Sequence, residues 1–269
     1  MPFVNRDGSE IYYETHGDGP ALLFCSVTGL DHQAWKFHQV PEFSRDHQVI
    51  LFDYRGTGKS SKNIQNYTIK MFTDDAAAIL DHLNVEQAIV CGHSMGGVVA
   101  QLLTLDYPSK VKKLILASSG SAHPGAHGIP LAMCRDMVRD GFENYIRKHT
   151  IETGWTKEFV AKNPELIERF LQVRMSGIAP LENYLYFVLA RQTHDHTDRL
   201  KEITAPTLVF VGDDENHGAT DNTHWAAAHQ LAKAIPKAKL VVLPGEGHHY
   251  LATNPAAAHK AIRDFIKQE

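Results

Sequence analysis

Short apolar runs punctuate this chain and alternate with segments whose apolar residues recur every three or four positions. Ala21-Leu22-Leu23-Phe24-Cys25, Val49-Ile50-Leu51-Phe52, Ala88-Ile89-Val90-Cys91 and Leu240-Val241-Val242-Leu243 are unbroken by polar residues. Such runs suit strands covered on both faces. Val111 to Leu116 and Pro206 to Val211 also read as strands, as does Ile11-Tyr12-Tyr13 after the turn Asp7-Gly8. Between them, Thr73 to Leu83, Trp225 to Ile235 and Ala256 to Ile266 carry helical spacing. Strands alternating with helices predict an α/β architecture with a mostly parallel sheet and right-handed crossovers.

One interruption breaks the alternation. From about 121 to 200 the pattern is helical throughout. Asn163-Pro164-Glu165 offers an N-cap, a proline at the first helical position and an early acid, after which Leu166, Ile167, Phe170 and Leu171 mark one face. Leu181, Tyr184, Leu185, Val188 and Leu189 repeat at three and four. We therefore expect a core built from 1–120 and 201–269 and a helical cap over 121–200. An insertion at this point sits above the carboxyl ends of the strands, where open α/β sheets bind ligands.

Composition narrows the class without naming the chemistry. A chain of 269 residues buries a substantial core, and its formal charge of −4 offers nothing to nucleic acid or anionic membrane. The chain has no run of 18 apolar residues, so no membrane span is expected, and the N-terminus lacks an apolar signal core. The cysteines, Cys25, Cys91 and Cys134, are scattered and odd in number; two lie in strand sequence and read as inert thiols. A cytoplasmic protein is expected, with oligomeric state left open.

The chemistry concentrates at Gly92-His93-Ser94-Met95-Gly96, with an apolar strand before it and an Ala/Val/Leu-rich helix after it. The bland reading is a glycine-rich turn with a capping serine. In strand–turn–helix context, however, Gly-x-Ser-x-Gly makes a nucleophile elbow that lifts the hydroxyl out of the sheet. A nucleophilic serine needs a base, and the base an orienting acid. His248 follows the last strand in Gly245-Glu246-Gly247-His248, and His249 reads as a bystander. The acid belongs after the preceding strand, where Asp213-Asp214-Glu215 offers three carboxylates. The order serine, acid, histidine is that of hydrolases built on such a sheet. His194-Asp195-His196 has the look of a metal cluster but lacks further ligands at recognisable spacing, and reads as a solvated helix end.

With these motifs the chain resembles the α/β-hydrolase superfamily over essentially its whole length. Asp53-Tyr54-Arg55-Gly56-Thr57-Gly58-Lys59-Ser60, Pro206-Thr207-Leu208-Val209 with Gly212, and Trp35 add to the likeness. The resemblance implies an eight-stranded sheet with a helical cap. It places the acid at Glu215, three residues after Gly212, with Asp214 the alternative if the turn is tighter. The family's usual His-Gly after the third strand is Ser26-Val27 here, which is similar to 3-oxoadipate enol-lactone hydrolases; small-molecule carboxylesterases are also close. By resemblance the oxyanion donors are the N–H groups of Met95 and Thr28. The expectation is a cofactor-free, metal-free serine hydrolase acting on an ester or lactone of a small organic molecule. Alternatives are carbon–carbon bond hydrolysis of a ring-cleavage product and a slow-turnover small-molecule receptor. Among cap residues, Trp155, Arg174, Tyr184, Tyr186 and Arg191 are candidates to hold a substrate carboxylate or ring.

Overall fold

The eight strands come from the segments read as apolar runs plus one edge strand at the N-terminus. In the computed structural model, which describes residues 2–122, 128–213 and 224–268, they are β1 (Phe3–Arg6), β2 (Ser9–His16), β3 (Ala21–Cys25), β4 (Gln48–Phe52), β5 (Ala88–His93), β6 (Val111–Ala117), β7 (Thr207–Gly212) and β8 (Ala238–Leu243). They form one sheet in the order β1-β2-β4-β3-β5-β6-β7-β8. β1/β2 and β2/β4 are antiparallel; every other pairing is parallel.

Residue parity explains the continuous apolar runs. Leu23, Cys25, Val90, Leu114 and Leu116 face one core, and Leu22, Phe24, Cys91, Ile115 and Phe210 face the other. Helices cover both sides, so the central strands β3, β5 and β7 are buried along their whole length. The flanking helices are α1 (Gln33–Lys36), α2 (Gln39–Phe43), α3 (Ile69–His82) and α4 (Met95–Asp106). α3 is started by Thr68, whose hydroxyl accepts the Met71 N–H at 3.1 Å.

Among the described residues, five α-helices lie between β6 and β7: α5 (Leu131–Asp140), α6 (Phe142–Gly154), α7 (Lys157–Lys162), α8 (Pro164–Gly177) and α9 (Leu181–Gln192). The C-terminal part contributes α10 (His224–Ala234), α11 (Tyr250–Thr253) and α12 (Pro255–Ile266). Asn163 stands at the start of α8, but its side chain donates back to the Phe159 carbonyl at 2.9 Å instead of capping the new helix. α8 turns Ile167 and Leu171 inward, as its spacing predicts. α9 is rotated from expectation: Leu181 is 44% exposed, while Phe187 is fully buried. Phe187 stacks on Phe72 of α3 at 4.8 Å and also meets Tyr54 and Tyr67. The aromatic ring gains more by entering the main core than Leu181 would, and it sets the helix face. Asn183 follows it inward and donates to the Tyr67 hydroxyl at 2.7 Å. α9 therefore shares the core of the sheet, whereas Trp155, Ile167 and Leu171 form a smaller cluster of their own.

Candidate active site

Ser94 occupies the junction of β5 and α4 with φ 54° and ψ −119°. A side-chain-bearing residue in such a sparsely populated region costs about 1–3 kcal/mol and persists only where its surroundings enforce it. Three hydrogen bonds do so here. The Ser94 N–H donates to the Ala117 carbonyl, and the Ser94 carbonyl accepts from the Gly97 N–H and the Ser119 hydroxyl, all at 2.8–2.9 Å. The motif glycines are required by approach. A Cβ on Gly92 would stand 2.2 Å from the Gly96 carbonyl oxygen, and one on Gly96 would stand 2.0 Å from that of Cys25.

The loop after β3 passes beside this turn. Ser26 is buried, accepting the Trp35 indole N–H at 2.7 Å on its hydroxyl and the Tyr54 hydroxyl at 3.2 Å on its carbonyl. Thr28 and Met95 are also buried, and neither backbone N–H donates to another protein group among the described residues. The loop is fastened to the insertion: Ala179 N–H donates to Gly29 at 2.7 Å and Asp31 N–H to Gly177 at 3.0 Å. Gly29 has φ +64°, and a Cβ there would lie 2.7 Å from Tyr184.

His248 follows β8. Its backbone N–H donates to Gly154, at the end of α6, at 2.9 Å, and its carbonyl accepts from His93 Nε2 at 2.9 Å. The residue preceding Ser94 thus ties the elbow to the histidine loop. The His248 ring is buried, stacked on His224 at 4.1 Å and 4.9 Å from the His93 ring. Burial, with the positive fields of Arg174 and Arg191, pulls its pKa down to about 3, so the imidazole is neutral and able to accept a proton. His249 turns away, packing on Phe170 at 4.6 Å and Trp155 at 4.9 Å. Of the acidic run, Asp213 accepts the Gly245 N–H at 2.5 Å and links the loops after β7 and β8. Asp214 and Glu215 lie outside the described residues.

The Asp53–Ser60 motif is scaffold. Asp53 accepts the His32 N–H and ring Nδ1–H and the Lys59 N–H at 2.7–2.8 Å, and Arg55 makes a two-pronged pair with Asp75. The His194–His196 reading needs correction. His196 is buried rather than solvated; its Nε2–H donates to Gln101 at 3.1 Å, and His194 donates to its Nδ1 at 2.7 Å. The hydrogen bonds that hold this pair leave no lone pair on His196 for a metal. Cys25 and Cys91 are fully buried, which pushes both thiols well above the usual range.

Sequence reasoning passed over His93, Ser119 and Gly154. His93 lay in the motif itself, but Ser119 and Gly154 act through backbone contacts that leave no residue-type signature. His93, His248 and His249 each bring one ring nitrogen within 4.8 Å of the others and could offer them to a cation, although the field of Arg174 beside them is repulsive to one. Next to the elbow a cavity of about 350 Å³ is lined by Ser26, Val27, Trp35, His93, Phe170 and Arg174, among others. Its walls are mainly apolar with a few polar groups, as in small-molecule sites.

Comparison with known proteins bears on the family and the fold. The profile of the alpha/beta hydrolase fold matches residues 20–255. The chain is 31% identical over 259 residues to 3-oxoadipate enol-lactonase 2 of Acinetobacter baylyi, covering 95% of this chain and 92% of that protein. It is 26% identical over 270 residues to a putative carbamate hydrolase, RutD, of Azorhizobium caulinodans, covering 98% of each. A malate-bound thermophilic esterase from Thermogutta terrifontis superposes with a TM-score of 0.83 at 27% identity, covering 99% of this chain and 97% of that one.

Proposed function

The chain belongs to the α/β-hydrolase family, and on that footing we propose that it is a serine hydrolase cleaving an ester or lactone of a small organic molecule. Ser94 attacks the carbonyl while His248 takes its proton and returns it to the leaving oxygen. Glu215 fixes the His248 tautomer and stabilises the imidazolium. The Met95 and Thr28 N–H groups hold the tetrahedral oxyanion, and water releases the acyl group. The helices of 121–200 act as the cap that selects the substrate. The observation that carries this reading is the enforced Ser94 conformation, with the adjacent Met95 N–H left without an acceptor among the described residues. Names of relatives support the substrate class: one is an enol-lactonase and another an esterase.

A fluorophosphonate probe tests the nucleophile. Wild-type protein should be labelled at one site per chain and Ser94→Ala should not, with hydrolysis of a lactone and ester panel lost in parallel. Equal labelling of both proteins would refute the assignment.

A further inference from the structure

β5 ends on His93, one residue before Ser94, and all six of its residues are buried. A polar ring at the end of such a strand needs a hydrogen-bond partner. His93 finds one far along the chain: its Nε2 stands 2.9 Å from the main-chain carbonyl oxygen of His248. A carbonyl oxygen only accepts, so Nε2 carries the hydrogen and donates it. The His93 ring also lies 4.9 Å from the His248 ring, 6.0 Å from that of His249 and 6.4 Å from that of Tyr250. It therefore packs along three consecutive residues of the histidine loop.

The main chain of His248 is gripped from both sides. Its N–H donates to the Gly154 carbonyl at 2.9 Å, and its carbonyl accepts from His93. Further on, the Tyr250 hydroxyl donates to the Phe210 carbonyl of β7 at 2.9 Å and accepts from the Ser118 hydroxyl at 3.2 Å. Tyr250 thus anchors the far end of the loop to the sheet, while His93 joins its near end to the elbow. The Ser94 N–H is itself fixed to the Ala117 carbonyl beyond β6 pairing. His93 acts as a strut, continuous with the Ser94 backbone at one end and bonded to the His248 backbone at the other. Proton transfer between two side chains needs heavy atoms within roughly 2.6–3.2 Å of each other. An error of about an ångström in such a placement costs about 100-fold in rate.

We infer that His93 is a positioning residue whose Nε2–H holds the His248 loop at the distance from Ser94 that proton transfer requires. The inference rests on the serine-hydrolase reading above and adds to it one atom, the hydrogen at Nε2 of a residue that does not itself react. Reach then decides which side chains can replace it. Glutamine carries its amide nitrogen at the ε position and can set an N–H where the ring had one. Asparagine, one methylene shorter, matches Nδ1 instead and falls short of the carbonyl. Leucine fills the space and offers no donor.

The test measures kcat and KM of the full chain on 4-nitrophenyl acetate and butyrate, for wild type, His93→Gln, His93→Asn and His93→Leu. In His93→Asn and His93→Leu, kcat should fall about 10- to 100-fold with KM little changed, because the loss is felt only as the proton moves. His93→Gln should keep most of the wild-type kcat. A role in packing alone would lower the melting temperature and leave kcat of the folded variants unchanged. Where His93→Leu does not fold, the two amides decide, since they differ in reach and share their chemistry. Hydrogen–deuterium exchange across 245–251 reads the same contact without turnover, and should be faster in His93→Asn than in wild type or His93→Gln. A kcat within about twofold of wild type in His93→Asn, or His93→Gln no better than His93→Asn, overturns the inference. Failure of the hydrolase reading looks different: the fluorophosphonate leaves wild type unlabelled and neither ester turns over, while exchange still decides whether His93 holds the loop.

Discussion

At the scale of single residues, the proposed active centre is organised by positions that leave little room for exchange. Ser94 is held at φ 54° and ψ −119°, and Gly92 and Gly96 sit where a methyl group would strike a carbonyl. The same logic bears on the acid. We propose Glu215 because its offset from Gly212 sets which carboxylate reaches His248; Asp213 is already engaged by the Gly245 N–H. Removing an orienting acid lowers kcat by roughly 10⁴ where the tautomer is lost. Steady-state kinetics should therefore show Glu215→Gln falling by orders of magnitude and Asp214→Asn losing far less. The opposite ranking would transfer the role to Asp214.

At the scale of elements, the junction between the insertion and the loops above the sheet is built from glycines. A Cβ on Gly154 would lie 2.7 Å from the His249 ring, and one on Gly177 would lie 2.5 Å from the Asp31 carboxylate. Gly154→Ala should push the histidine loop away from the elbow. Misplacement on the ångström scale costs about 100-fold in rate, so kcat should fall far more than thermal stability does. A variant that keeps kcat and merely melts earlier would assign Gly154 to packing alone. Much of this architecture was legible in the chain. Strands buried on both faces announce themselves as Ala21–Cys25 or Ala88–Cys91, and α12 differs from its expected bounds by one residue. The elbow was legible because glycine spacing records close approach. What escaped was set by tertiary choice. α1 and α2, of four and five residues, are too short to express a period. In α9, Leu181 and Phe187 compete for the interior, and only the ring of Phe72 decides between them. The His194–His196 pair likewise looked solvated until Gln101 was found beneath it.

At the scale of the whole molecule, an unusual number of histidines are kept neutral by burial. His196 and His248 are drawn down to about 3, His149 to about 4, and His249 lies well below its ordinary value. Each of these folded-state values lies below that of the unfolded chain, near 6.5. The unfolded state then binds more protons as pH falls, so their contribution is complete above about pH 6.5 and is lost progressively towards the folded values. Burial raises Asp31 and Asp75, which act with the opposite sign but are fewer. Melting temperature should therefore drop by at least ~5 °C between pH 7 and pH 5. A flat profile over that interval would show that these rings are hydrated.

The backbone bonds from Gly29, Gly177 and Gly154 also limit how specificity can be exchanged within this family. Helical insertions are often treated as modules, to be transplanted onto a common catalytic platform. Here the donor helices would need a carbonyl at the Gly154 position for the histidine loop. They would also need a carbonyl and an N–H at Gly177 and Ala179 for the loop after β3. A graft lacking these would arrive with its own selectivity and disassemble the platform beneath it. Excision would do the same, giving an inert sheet in place of a permissive esterase. Recombination in this protein should succeed at crossovers inside α5 and α7, which carry none of these contacts, and fail at the ends of α6 and α8.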